Sequence, residues 1–124
     1  MLEKFREAES YFRGERILWG PVIVLLYDAL LLALQRIVID VKGLEPIGEL
    51  RKQRRLYLHT LVKILSDEGI IDPRDMKDLE LLRDLRNRVV HEDYHPSREH
   101  AEWAYSVVKR IISKYFPDLF PPEN

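Results

Sequence analysis

The run from Val22 to Val41 constrains the fold more than any other part of this chain. On a helical wheel it is apolar nearly all round, relieved only by a narrow strip of Asp28, Gln35 and Arg36. A helix of this kind has to be covered on several sides. About 20 residues are enough to span a bilayer, but charges near the bilayer centre are costly. Asp28 and Arg36 therefore mark a central core helix. A small bundle offers few neighbours to cover such a helix, so a partner subunit is expected as well.

At 124 residues the chain has room for one domain with a real core. Hydrophobic residues at 46% and charged residues at 33% exclude a disordered chain. A net charge of −1 gives no global attraction to nucleic acid, so any such attraction must come from local patches. With no cysteine there are no disulfides and no thiolate metal sites. The start, Met1-Leu2-Glu3-Lys4-Phe5-Arg6, lacks the apolar centre of a signal peptide, and a cytoplasmic protein is expected.

Helical periodicity recurs in every segment, and strand-like alternation persists in none. A first helix is expected from Leu2 to Trp19, with Phe5, Ala8, Phe12 and Trp19 on one side. Gly20-Pro21 breaks the chain, and Pro21 suits the first turn of the core helix, which runs to about Asp40. Gly43 to Pro46 reads as a turn. A third helix from Ile47 to Glu68 carries Leu50, Leu58, Leu61, Val62 and Leu65 inward, and Gly69 caps it. Asp72-Pro73-Arg74-Asp75 starts a fourth helix, with an N-cap carboxylate followed by proline at the first helical position. Its inward residues are Met76, Leu79, Leu82, Leu85 and Val89. His95-Pro96-Ser97 is the next break. Ser97 caps a fifth helix whose stripe is Ala101, Ala104, Tyr105, Val108, Ile111, Ile112 and Tyr115. The sum is an all-α, antiparallel up-and-down four-helix bundle with an additional N-terminal helix. It forms a single domain over residues 1–116, with a proline-rich tail over 117–124 whose Leu119 and Phe120 are free to dock on a neighbour.

Chemistry concentrates in Leu85-Arg86-Asn87-Arg88-Val89-Val90-His91, at the end of the fourth helix. Arginine holds a phosphate with a planar fork of donors, and histidine moves protons near neutral pH. Together they suit metal-independent cleavage of RNA by attack of a 2′-hydroxyl on the adjacent phosphorus. His91 is the candidate general acid or base, Arg86 the stabiliser of charge on the phosphoryl oxygens, and Asn87 an orienting group or phosphate ligand. Arg86 and His91 lie five residues apart, about 140° round a continuous helix. In a two-fold dimer, Arg86 of one chain can face His91 of the other, so the site is expected to be composite. The bland alternative is a solvated charged face with His91 favourably placed at a helix C-terminus.

The same stretch spells H-E-x-x-H at His91-Glu92-Asp93-Tyr94-His95, the zinc-peptidase pattern. Pro96 should end the helix where the second ligand is needed, and His100 does not fit the extended three-histidine pattern. No metal or cofactor is expected.

The Arg-Asn-x3-His segment resembles the signature of the HEPN superfamily, helical bundles with an Arg-x4–6-His motif. The likeness covers roughly Val22 to Tyr115 and includes the break and final amphipathic helix after the motif. It implies a homodimeric, metal-independent endoribonuclease, in some branches the toxin of a toxin–antitoxin pair, with Arg86, Asn87 and His91 at the interface. Other members are non-catalytic modules that bind a nucleotide, a nucleic acid or a partner protein. One branch pairs with a nucleotidyltransferase antitoxin that modifies a tyrosine two places after the histidine. Here Asp93 holds that place, and Tyr94, one residue later, is the candidate for modification.

Arg51, Lys52, Arg54 and Arg55 form a basic cluster that could track an RNA backbone, although such clusters are more often solvated faces. Arg83 and Arg88 are candidate additions to a basic rim around Arg86. Trp103 and Tyr105 read as packing rather than base-stacking groups, and His59 as a packed or surface histidine. Asp28, beside Tyr27 in the apolar helix, needs a partner; Arg36 or a motif arginine is expected to supply it.

Overall fold

The structure, a computed structural model, describes residues 1–13 and 18–119. Among these residues there are six α-helices and a closing 3₁₀ turn, and no strand. The helices are α1 (Leu2–Tyr11), α2 (Trp19–Lys42), α3 (Glu45–Lys52), α4 (Leu58–Asp67), α5 (Pro73–His91) and α6 (Arg98–Tyr115). The 3₁₀ turn is Pro117–Leu119.

α2 is the axis of the fold and packs against each of the other five helices. Its residues Val22, Ile23, Leu26, Ala29, Leu30, Ala33, Leu34 and Val38 are completely buried. The covering helices are therefore what lets so apolar a helix exist in water. By length and composition α2 is also apolar enough to cross a membrane, and just over half of its most apolar stretch is buried here.

Several boundaries differ from those the sequence suggests. α1 ends at Tyr11, not Trp19; residues 14–17 of the expected helix lie outside the described residues. Trp19 and Gly20 open α2 rather than ending or breaking a helix, which places Pro21 in the first turn, where its missing N–H costs nothing. The Phe12 ring lies 5.3 Å from Trp19 and 5.5 Å from Tyr105. Gly20 lies close against α5: a Cβ there would sit 3.1 Å from Cγ1 of Val89, tight enough that Val89 would have to shift slightly.

The single third helix is in fact two, α3 and α4. Arg54 takes a left-handed backbone with φ 54°, which stops α3. Thr60 then opens α4: its Oγ1 accepts from the Tyr57 backbone N–H at 3.1 Å and donates to the Arg55 carbonyl, 2.7 Å away. A threonine at the third helical position thus replaces the usual hydroxyl at the N-cap. Leu119, expected to be free for a neighbour, packs against this chain's own core. Phe120 lies outside the described residues.

α5 begins as expected, with Asp72 Oδ1 accepting from the Asp75 backbone N–H at 2.8 Å. The same end holds a clamp to the last turns of α6. Arg110 donates to Asp75 at 3.0 Å and Asp78 at 2.6 Å, and Lys114 donates to Asp72 at 3.0 Å and Asp75 at 3.2 Å. Asp75 is buried, so its charge depends on these two cations. The backbone N–H of Asp75, and then Lys114, hold the Asp72 carboxyl below its ordinary value. Hydrogen bonds to Asp72 and then Asp75 push Lys114 up to about 12.

A group whose pKa is lowered on folding stabilises the fold above its ordinary value and loses that contribution as pH falls through the folded value. The reverse holds for Lys114, which contributes fully below its ordinary 10.5 and loses its contribution as pH rises through about 12. The clamp is thus intact across the whole neutral range. Arg110→Met should cost about 2 kcal/mol at pH 7, below the full penalty of breaking a buried pair because both cations are partly exposed. Urea melts of the two proteins at pH 7 measure that difference.

Candidate functional site

Arg86, Asn87 and His91 all lie on α5, and the folding of that helix decides how they are held. Leu79, Leu82 and Leu85 turn one face of it into the core. Arg86, one place on from Leu85, is drawn partly inward beside α2. Its guanidinium carbon lies 5.0 Å from the centre of the Tyr27 ring, and Nη1 donates to Asn87 Oδ1 at 3.3 Å. A cation over an aromatic face is a favourable seat, more so where water is excluded.

Tyr27 is itself buried. Burial pushes its hydroxyl above the ordinary phenol value, against the pull of Arg86 and Arg83. Arg83, one turn back, shares that face of α5. The Nε atoms of both Arg83 and Arg86 are buried and have no hydrogen-bond partner. The nearest acid to Arg83 is its chain neighbour Asp84 at 3.8 Å, too long for a hydrogen bond. Each of these guanidinium groups thus keeps one buried donor unsatisfied.

His91 is the last residue of α5 and is exposed. Asp93, at φ 49°, turns the chain away immediately afterwards. Five residues of helix separate His91 from Arg86, about 7.5 Å along the axis and about 140° round it. One chain does not bring the two side chains onto one face.

The other sequence candidates divide into two groups. Arg83 shares the Arg86 side of α5 and acts on Tyr27 through its charge. Arg88 does not: it covers the Tyr94 ring at 4.2 Å and faces Glu92 at 3.6 Å. Tyr94, half-buried, is held between Arg88 and the edge of the His100 ring, 6.0 Å away. Arg51, Arg54 and Arg55 are exposed, at the end of α3 and in the turn before α4 rather than at the start of one long helix. Asp28 meets Lys4 at 3.9 Å, while Arg36 pairs with Asp40, so the expected partners of Asp28 are engaged elsewhere.

The zinc pattern is split by the fold. His91 ends α5 and His95 lies in the loop beyond it, where it faces Asp93 at 3.6 Å. Ser97 Oγ accepts from the His100 backbone N–H at 3.3 Å, and the His100 ring accepts from the Ser97 backbone at 3.2 Å, so His100 is an N-terminal capping residue of α6. Among the described residues, no three His, Asp or Glu side chains converge as a metal would need.

Two features here were not legible as functional. Tyr27 seats the motif arginine; its sequence signal is an aromatic in the middle of the apolar run of α2. The cleft between α4 and α5 is the other. Its volume is about 290 Å³, and its lining includes Leu58, His59, Val62, Met76, Leu79 and Arg83.

These features define a helical domain built round one apolar axis, with an arginine-rich helix face and an exposed histidine at that helix's free end. Residues 30–119, from the middle of α2 through the 3₁₀ turn, match the family described as Domain of unknown function (DUF4145), and the chain belongs to that family. No curated protein and no solved structure matches the chain.

Proposed function

We propose that this chain is a HEPN-like four-helix-bundle domain that acts in the cytoplasm as a homodimeric, metal-independent endoribonuclease. The observation that carries the reading is the state of Arg86. It is seated over Tyr27, it keeps an unpartnered Nε, and it lies on the same helix as an exposed histidine. An arginine so fixed is pre-organised to receive a phosphate rather than to pair with an acid of its own chain.

In the reaction, the RNA 2′-oxygen bonds to the adjacent phosphorus and the bond to the 5′-oxygen breaks, leaving a 2′,3′-cyclic phosphate. His91 takes the 2′-hydroxyl proton and returns it to the departing 5′-oxygen. Arg86 neutralises the charge that builds on the non-bridging oxygens, and Asn87 holds the Arg86 guanidinium in place. Because the two residues diverge on one helix, Arg86 and His91 come from different copies across a two-fold axis. Exposed Val90, one turn on from Arg86, supplies apolar surface for that contact. In this reading the protein serves as the toxin of a pair, with a nucleotidyltransferase-type antitoxin acting on Tyr94.

The composite site has a direct test. Arg86→Ala and His91→Ala, each inactive alone, are mixed and allowed to exchange subunits. Half of the resulting dimers are mixed, and each of those carries one intact site, so activity should return to about a quarter of wild type. If no activity returns although subunits exchange, the site does not bridge two copies.

A second reading is a non-catalytic module that uses Arg86 to bind a nucleotide, a nucleic acid or a partner protein. It is favoured by one observation: among the described residues no hydrogen bond or ion pair orients the His91 ring.

A further inference from the structure

The geometry points to the α4–α5 cleft as a nucleotide subsite, with a base seated between the helices and its phosphate held by Arg83. The inference rests on the RNA reading above and deepens it by saying where one nucleotide of the substrate goes.

α4 and α5 form a hairpin whose two ends are chemically different. At the closed end Ser66 Oγ meets the Met76 sulfur at 3.4 Å. At the open end the Leu58 backbone, Arg83 and Arg86 all act on the Tyr27 hydroxyl. Between the ends the lining runs over Val62, Met76 and Leu79, an apolar floor for a flat ring. At about 290 Å³ the cleft is at the small end of ligand sites, matched to one ring system rather than a folded polymer.

Charge gives the cleft a direction. Lys63 and Asp67 face each other at 3.8 Å, and Glu80 also lines the wall. Arg83 also meets its nearest acid, Asp84, only at 3.8 Å; of the two lining cations it is the one at the open end, and its Nε is buried and unpartnered. A ligand with an apolar ring inside and an anion at the mouth is complementary to this arrangement, and an arginine fork matches a phosphate.

The mouth carries two further marks of a nucleotide. His59, part of the lining, is stacked on exposed Tyr57 with ring centres 5.4 Å apart, a platform of the kind on which bases stack. Just before Tyr57 the chain presents Arg54 and Arg55, exposed and, among the described residues, without an ion-pair partner. They continue the positive surface along which a strand would run. A free nucleotide and a nucleotide within a strand present the same chemistry to this cleft.

The test is a titration of the ¹⁵N-labelled full chain, in EDTA, with adenosine monophosphate, with adenosine, and with 2′-O-methylated pentaadenylate, which cannot be cut. The monophosphate, the pentamer or both should shift the amides of α4 and of α5 around Met76–Arg83. Adenosine, lacking the phosphate, should bind about tenfold more weakly. Arg83→Gln should bring the monophosphate down to the level of adenosine. Val62→Trp, which fills the cleft, should abolish the shifts. If that variant does not fold, Arg83→Gln alone carries the test.

Response to the monophosphate alone assigns the site to a free nucleotide, and response to the pentamer alone assigns it to a strand. A wild type that cuts RNA yet shows no shift at α4 and α5 with either probe overturns the subsite and leaves the nuclease standing. Shifts that vanish in Arg83→Gln, from a wild type that cuts nothing, support the subsite and overturn the nuclease.

Discussion

His91→Ala and Arg86→Ala should each lower cleavage of a mixed-sequence RNA by at least about a hundredfold in the presence of EDTA. Loss of a general acid–base group costs typically 10²–10⁴ in rate, and loss of a preorganised charge stabiliser is of similar size. Wild type should cut under the same conditions and leave 2′,3′-cyclic phosphate ends, and an all-deoxy strand should be inert for want of the 2′-hydroxyl. His91 is exposed, so its alanine variant should melt with the wild type. Arg86 also covers Tyr27, so its variant should lose some stability and is better compared with Arg86→Lys. Lysine keeps the charge but not the fork, and a large loss in that variant would show that geometry rather than charge is needed. A folded, dimeric wild type that cuts no RNA would transfer the assignment to the binding module.

The largest stability effect is expected from Leu30→Ala. Leu30 lies at the middle of α2 and is completely buried. Truncating such a leucine removes its transfer free energy and leaves a cavity, at a cost of about 3 kcal/mol. For a domain of this size that lowers the melting temperature by roughly 10 °C. Leu32, two residues on and 39% exposed, is the control, and its alanine variant should stay within about 0.5 kcal/mol of wild type. Thermal melts of the two variants decide whether α2 sits in the protein core with this orientation. Equal effects, or a larger one at Leu32, would mean that the outward face of α2 is covered by something other than this chain.

Helices with strong local signals are legible in the amino-acid sequence. Asp72-Pro73 and Ser97 start α5 and α6 where expected, because a side-chain oxygen facing free N–H groups is a local interaction that needs no tertiary partner. The apolar run of α2 is equally plain. The break between α3 and α4 is not, since arginines at 54 and 55 are good helix formers and Tyr57 is no ordinary cap. Only after Thr60 has closed on Tyr57 and Arg55 does the interruption acquire its hydrogen bonds.

The candidate site divides along the same line. The sequence alone picked out Arg86, Asn87 and His91 as candidates, and put Arg86 and His91 on one helix about 140° apart, because helical spacing is set by the backbone. Tertiary structure decided their surroundings. It set Arg86 over Tyr27, drew Arg88 off to Tyr94, separated His91 from His95, and opened a cleft between α4 and α5. It also joined Asp75 to Arg110 and Lys114 across residues remote in the chain. Such contacts depend on where buried faces bring distant side chains together, and that is a property of the packed helices rather than of any local stretch.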